Sequence, residues 1–242
     1  MAQNKNFSFG IVTLYSIAII EPIEDTCCHR KTMNFTFDRS KHVFYSPEFE
    51  ELIKDTIRFF NGTPIQPMPP IEAFDGAGVY ALYYVGKRGM YRTFHEINRL
   101  EYKQPIYVGK AVPRGWRQGR AFDSSSSELY RRLCDHSKSI RLAENLDLSD
   151  FLCRFMILEN AASNLIGTVE AALIRHYQPL WNCIVDGFGN HDPGSGRYNQ
   201  EMSEWDLIHP GRSWATKCAP SSKSKSVIVE SIRMYFINFE ND

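Results

Sequence analysis

Two tyrosine-bearing segments, GVYALYY ending at Tyr84 and PIYVGKA ending at Ala111, are followed in the chain by Arg132 and His136, by Glu170 inside an apolar TVEAALI run, and by Asn182. These residue types, in this order, suit hydrolysis of a phosphodiester. That reaction needs an aligned water, a group to take its proton, a cation on the phosphoryl oxygens and stabilisation of the leaving oxygen. A free tyrosine has a pKa of ~10, so about one phenol in 1,000 is ionised at neutral pH. Tyr80 or Tyr107 could act as base only if a neighbour depressed that value, and Lys110, shortly after Tyr107, is an available cation. His136, with a reference pKa of ~6.5, could take the proton directly or through a tyrosine. Arg132 offers a planar fork for a phosphate.

The elements that must position these groups follow from patterning. Val79 to Val85 is aromatic and β-branched on both faces and predicts a strand covered on both sides; Ile106 to Val108 predicts a second, and Phe151 to Leu158 a third. Ser125 and Glu128 are spaced as a capping box, starting a helix that runs to about Arg141. On it Leu129 and Leu133 form the buried stripe, and Arg132 and His136, four apart, stack beside it. Asn164 to Tyr177 predicts a helix with Leu165, Ile166, Val169, Leu173 and Ile174 inward, ended by Pro179. Glu170 falls on that inward face. A carboxylate there is costly to bury alone, so either an arginine pairs with it or a cation binds it. One such carboxylate can hold one Mg²⁺, which prefers oxygen ligands and keeps several waters.

Further elements carry no evident chemistry. Ser46 as N-cap and Pro47 at the first helical position open a helix that stops at Asn61-Gly62, with Phe49, Leu52, Ile53, Ile57 and Phe60 on one face. The proline-rich stretch Thr63 to Pro70 reads as an extended connector that would spoil a sheet ladder. Gly86 to Gln104 is a polar excursion with Lys87, Arg88, Arg92, Arg99 and Lys103, holding a helix near Phe94 to Leu100; it reads as a surface loop or as an insertion touching nucleic acid. The tail after Pro220 is a Ser/Lys linker, then a short amphipathic helix with Val229, Ile232, Tyr235 and Phe236 that packs on the body or on a second subunit.

Composition sets the class. With 242 residues, 43% of them hydrophobic, the chain can bury a sizeable core. Its six cysteines form no CxxC pair, so neither a zinc site nor a disulfide framework is indicated, and a reducing cytoplasm is the natural setting. The apolar run Phe9 to Ile20 is shorter than the roughly 20 residues of a membrane helix, and residues 1–32 read as an upstream extension that the fold does not require. A net charge of zero argues against a nucleic-acid partner until its distribution is examined. Residues 76–145 hold 13 basic and 6 acidic groups, against 7 and 10 before them and 8 and 12 after. The cationic third coincides with the candidate site, and after Gly109 it continues through Lys110, Arg114, Arg117 and Arg120, which are candidate DNA contacts.

Beyond Asn182, DGFGNHDPGSGR (186–197) is rich in glycine and polar residues, and HPGRSW follows at 209–214. No GK[ST] follows, so a phosphate-cradling nucleotide loop is set aside and no organic cofactor is indicated. The plain reading is an ordered surface loop. The functional one has Asn190, His191, Arg197 and Arg212 touching base edges or phosphates, arginine to guanine being the commonest specific contact.

The segment from Gly78 to Asn182 resembles the GIY-YIG nuclease superfamily, and the chain from Phe37 to Cys218 resembles its type II restriction-endonuclease branch. The strings that carry the likeness are FDRS, ELIKD, GAGVYALYY, IYVGKA, GWRQ, TVEAALI, PLWN, VDGFGNHDPG and HPGR. Val79 and Val108 replace the signature isoleucines with the same character, and the long insertion between the two segments belongs to this branch. The resemblance implies an α+β fold, a small central and mostly antiparallel sheet flanked by helices, with extensions at both ends. It implies residues 33–77 as an N-terminal helix and connector, 78–182 as the catalytic module and 183–242 as DNA-recognition loops and helix. Tyr80 and Tyr107 become the signature tyrosines, Arg132 and His136 the pair on the first module helix, Glu170 the Mg²⁺ ligand and Asn182 a late site residue, with a tyrosine positioning water and His136 assisting. Relatives of this branch cut a GC-rich palindrome, CCGCGG, in double-stranded DNA, and a palindrome read by one domain implies a homodimer. The competing expectations are a structure-specific nuclease of repair or recombination, and a DNA-binding protein without catalysis in which Glu170 is a salt-bridge partner.

Overall fold

The computed structural model describes residues 36–113, 115–116 and 126–241. The chain divides into two compact units, Met1–Tyr45 and Ser46–Asp242. In the first, residues 36–45 contain one 3-10 turn, Arg39–Lys41, capped by Asp38, whose carboxylate accepts the Ser40 N–H at 3.1 Å. The expected extension, residues 1–32, lies outside the described residues.

The second unit is organised by an antiparallel sheet of order β1-β4-β2-β3, formed by β1 (Gln66–Pro67), β2 (Gly78–Tyr84), β3 (Tyr107–Ala111) and β4 (Phe151–Ile157). Every residue of β2 is buried, because helices cover both faces. Side chains alternate across a strand, so Tyr80, Leu82 and Tyr84 enter one core while Val79, Ala81 and Tyr83 enter the other. Register places Tyr80 opposite Gly109 and Leu82 opposite Tyr107, which brings both signature tyrosines to the same face.

That face is covered by α3 (Glu128–Leu142) and by the C-terminal elements α5 (Leu180–Cys183), α6 (Glu204–Ile208) and α7 (Lys225–Asn241). The opposite face is covered by α1 (Pro47–Gly62) and α4 (Ile166–Tyr177). The remaining helix, α2 (Arg92–Asn98), lies in the polar excursion. Asn98 closes the neck of that excursion: its Nδ2 donates to the carbonyls of Tyr84 (3.1 Å) and Gln104 (2.9 Å), and its Oδ1 accepts the Gln104 N–H (3.0 Å). Among the described residues no helix is long and apolar enough to cross a membrane.

Several expectations change. Residues 66–67 of the proline-rich connector do join the sheet, Gln66 opposite Cys153 and Pro67 opposite Leu152, because an edge strand leaves one side free and tolerates a residue without an N–H. α1 is capped by Ser46 as expected, with Oγ accepting the Phe49 N–H at 3.1 Å, but Phe49 and Leu52 at its start are exposed and burial builds only from Ile53 to Phe60. α3 begins at Glu128 with Ser127 at its N-cap and no side-chain cap; Ser125 lies outside the described residues. The backbone supplies the tie instead, Leu129 N–H donating to Gly76 O at 3.1 Å and Gly76 N–H to Ser126 O at 2.8 Å. The C-terminal helix is long, and it buries Ile228, Ile232 and Phe236, leaving Val229 exposed.

Candidate active site

The site is assembled where β2 and β3 meet α3. Tyr80 is fully buried, and its hydroxyl lies 2.5 Å from Nε2 of His136 on α3. Leu129 and Leu133 anchor α3 to the sheet, and the helical period then turns His136 inward as well, at 2% exposure. Phe188 lies flat on the imidazole, with centroids 4.6 Å apart and planes 18° apart, and meets the Tyr107 ring edge-on at 4.9 Å. Gly109 makes room for the Tyr80 phenol: a Cβ there would sit 2.4 Å from the hydroxyl oxygen and 2.6 Å from Cζ. The glycine of IYVGKA is therefore a packing requirement of the tyrosine opposite it.

Burial governs the electrostatics. It pushes the Tyr80 phenol well above 10, with Tyr107 adding to the rise and Arg132 opposing it. It pushes His136 well below 6.5, helped by the Arg132 charge. Tyr107 is raised by burial and eased back by Arg132. Without DNA both tyrosines are neutral phenols and His136 is a neutral imidazole. The expectation that Lys110 would depress a tyrosine is overturned, because Lys110 forms an ion pair with Glu170 on the far side of β3 and the cation acting on the phenols is Arg132.

Arg132 is held by the loop that follows α5. Its Nη2 donates to the carbonyl of Gly189 at 2.9 Å and its Nη1 meets His191 Nε2. Gly189 must be small, since a Cβ would lie 2.7 Å from the Tyr107 hydroxyl. Tyr80, Tyr107, Arg132 and His136 thus form one contiguous group.

Glu170 projects from α4 toward β3, where Lys110 pairs with it; the carboxylate side chain retains 18% exposure. The sequence allows an arginine partner or a cation, and the partner is a lysine. The burial of Glu170 therefore has an explanation without a metal. Its charge nevertheless reaches both phenols, raising Tyr80 and Tyr107. Among the described residues no group of three His, Cys, Asp or Glu side chains could hold a metal ion. A single hard carboxylate with partial solvent access does not make an all-protein cage, but it does suit Mg²⁺, which retains waters and takes further oxygens from a substrate phosphate.

Asn182 serves β3 rather than open space. Its Oδ1 accepts the Val108 N–H and its Nδ2 donates to the Val108 carbonyl, both at 2.8 Å. The side chain acts as a one-residue strand on the free edge of β3 and fixes the register of the adjacent Tyr107.

The expected DNA contacts separate into three groups. Asn190, His191 and Arg197 are exposed on the 186–197 loop. Arg114, Arg117 and Arg120 lie outside the described residues. Arg212 overturns its expectation: it is 3% exposed, paired with buried Asp206 through Nε at 2.6 Å, and stacked between Trp205 and Trp214, with its guanidinium carbon 4.5 and 4.8 Å from the rings. Its remaining donors face backbone carbonyls, so no fork is left for a base. An arginine in a Gly-rich, polar neighbourhood reads as solvent-facing; two tryptophans and an aspartate brought in by folding bury it.

Two further residues of the site, Phe188 and Gly109, lie outside the set that side-chain chemistry alone points to. A glycine inside a strand is a signal of close approach by another group, and could have drawn attention to position 109. Nothing local marks Phe188, whose importance comes from contact with residues 52 and 81 positions away.

The antiparallel α+β core brings two strand tyrosines to a helix-borne arginine and histidine, as the resemblance to the nuclease module implies. A family model described as the Eco29kI GIY-YIG domain matches residues 72–236, and the chain belongs to this restriction-endonuclease-associated family. It is a DNA endonuclease. The match runs on past Asn182 through α6 and into α7, so the C-terminal elements are part of what the family shares. No curated protein matches the chain.

Proposed function

We propose that the protein is a type II restriction endonuclease that hydrolyses both strands of a GC-rich palindrome of the CCGCGG type, with Mg²⁺, as a homodimer. The observation that carries the catalytic part is the buried contact of Tyr80 with His136, beside the Arg132 charge that acts on the Tyr80 phenol. Bound phosphate brings negative charge to Arg132, whose guanidinium clamps it in a bidentate manner. Tyr107 and Tyr80 orient the attacking water. The proton leaves by way of the Tyr80 hydroxyl to Nε2 of His136, whose ring burial favours in the neutral form. Burial makes a standing phenolate unfavourable, so proton movement is tied to arrival of the substrate rather than stored beforehand. Glu170 would hold Mg²⁺, which would supply charge neutralisation to the phosphate and to the leaving oxygen. Lys110 balances the Glu170 charge in the DNA-free protein.

Sequence recognition falls to Asn190, His191 and Arg197 on the exposed loop, together with the cationic segment after Gly109; a bidentate arginine–guanine pair suits a GC-rich site. A two-fold symmetric site is met by two copies of one chain. The test is incubation of the purified protein with phage DNA and Mg²⁺, followed by mapping of fragment ends. Discrete fragments whose ends fall within CCGCGG are the expected result. Discrete fragments ending elsewhere would overturn the specificity alone, and a smear without defined ends would overturn the restriction reading.

A further inference from the structure

The loop 187–191 touches three side chains of the site. Phe188 stacks on His136 and abuts Tyr107, while the Gly189 carbonyl and His191 engage Arg132. Among the described residues this loop has no strand partner to hold it. What holds it is the guanidinium of Arg212, which donates through Nη1 to the carbonyls of Phe188 (3.2 Å) and Asn190 (3.1 Å) and through Nη2 to that of Gly187 (3.0 Å). Its Nε goes to Asp206 Oδ1, and the other carboxylate oxygen of Asp206 accepts from Ser203 Oγ at 2.7 Å. Four N–H donors of the guanidinium are thus matched to fixed acceptors in a space with almost no solvent.

The other end of this brace is fastened to α3 itself. Pro210 O accepts the Glu144 N–H at 2.9 Å, just beyond the end of α3, and Gly211 packs so closely that a Cβ would fall 1.7 Å from Leu142 O. Arg212 therefore ties the C-terminal end of the helix that carries Arg132 and His136 to the loop that contacts both. We propose that Arg212, neutralised by Asp206, is a positioning residue for the Arg132 fork and the His136 imidazole. It touches no DNA and sets the geometry of the reaction through the 187–191 loop. This rests on the assignment of Arg132 and His136 to catalysis.

A direct deletion is ambiguous, because removing one member of a buried ion pair leaves an unpaired charge and destabilises the fold. The informative variant is the full-length double substitution Arg212→Met with Asp206→Leu, which removes both charges and keeps the volume. It is expected to unfold within a few degrees of the parent, while its cleavage rate at saturating phage DNA falls about 10- to 100-fold, the scale of an ångström-level misplacement of catalytic groups, with KM little changed. Arg212→Lys keeps the charge against Asp206 but cannot span the three carbonyls, and is expected to lose rate in the same way; it serves as the test if the double variant does not fold. A second readout needs no activity: the His136 ring and Gly189 amide NMR signals should shift in either variant while those of α1 and α4 stay in place. Parental rate in a folded variant would overturn the proposal, as would a rise in KM at unchanged kcat, the signature of a lost DNA contact. If the parent itself does not cleave DNA, the functional reading fails separately, and unmoved His136 and Gly189 signals would still overturn the brace.

Discussion

The hydroxyl of Tyr80 stands 2.5 Å from Nε2 of His136, with both side chains removed from solvent. A strand from the first tyrosine segment and a helix more than 50 residues later thereby share one buried hydrogen bond. Tyr80→Phe removes the hydroxyl while keeping the ring that fills the space over Gly109. The orphaned imidazole nitrogen is expected to cost about 1–3 kcal/mol of stability. Cleavage is expected to fall about 100-fold or more, the usual scale for a lost proton-transfer group. Single-turnover rates on plasmid DNA measure this, and a parental rate would remove Tyr80 from the proton path.

Stability should decline on mild acidification because of the buried histidines. Burial, with Lys225 and Arg212 adding, lowers His209 to about 3. The neutral ring is fixed by its partners, Nδ1 donating to Asn145 Oδ1 at 2.8 Å and Nε2 facing the Tyr91 hydroxyl at 2.7 Å. In the unfolded chain the same group titrates near ~6.5. Below that pH the unfolded state binds a proton that the folded state lacks, so the contribution is complete above ~6.5 and is lost as pH falls toward the folded value, at up to about 1.4 kcal/mol per pH unit. His136 is shifted in the same direction. Denaturant midpoints at pH 7, 6 and 5 should fall in sequence, and His209→Gln should flatten that slope although it lowers stability at pH 7. An unchanged slope in the variant would show that His209 is not held neutral.

Glu170→Gln separates metal chemistry from simple pairing. The ion pair with Lys110 is partly open to solvent, so its loss should change stability by less than about 1 kcal/mol. Under the proposed function, cleavage vanishes while DNA binding persists, and parental cleavage is abolished by chelation and restored by Mg²⁺. A variant that folds and cuts normally would return Glu170 to the role of lysine partner.

Gly109→Ala tests the packing of the site at its tightest point. The new methyl would meet the Tyr80 phenol at 2.4 Å, so either the ring or β3 must move. Overpacking of this kind is expected to cost about 1–3 kcal/mol. The rate loss should match that of Tyr80→Phe, since both break the contact with His136, and combining the two substitutions should give little further loss in rate. Additive losses would mean that Gly109 acts elsewhere.

Patterning along the chain is enough to place the main elements. Apolar patterning located the three main strands and the helices bearing His136 and Glu170, because a 2-residue or 3.6-residue period follows directly from which side chains must leave water. Tyr80, Tyr107, Arg132 and His136 were legible because their positions depend on strand and helix faces, and those are local properties. Which charges meet depends on folding. Lys110 turned to Glu170 rather than to a phenol, Asn182 gripped Val108, and Arg212 was buried between Trp205 and Trp214 instead of facing DNA. None of these could be read in advance, since a partner is fixed by the proximity of segments distant in the chain. A charged side chain carries the same signal in sequence whether folding leaves it in solvent or surrounds it with acceptors.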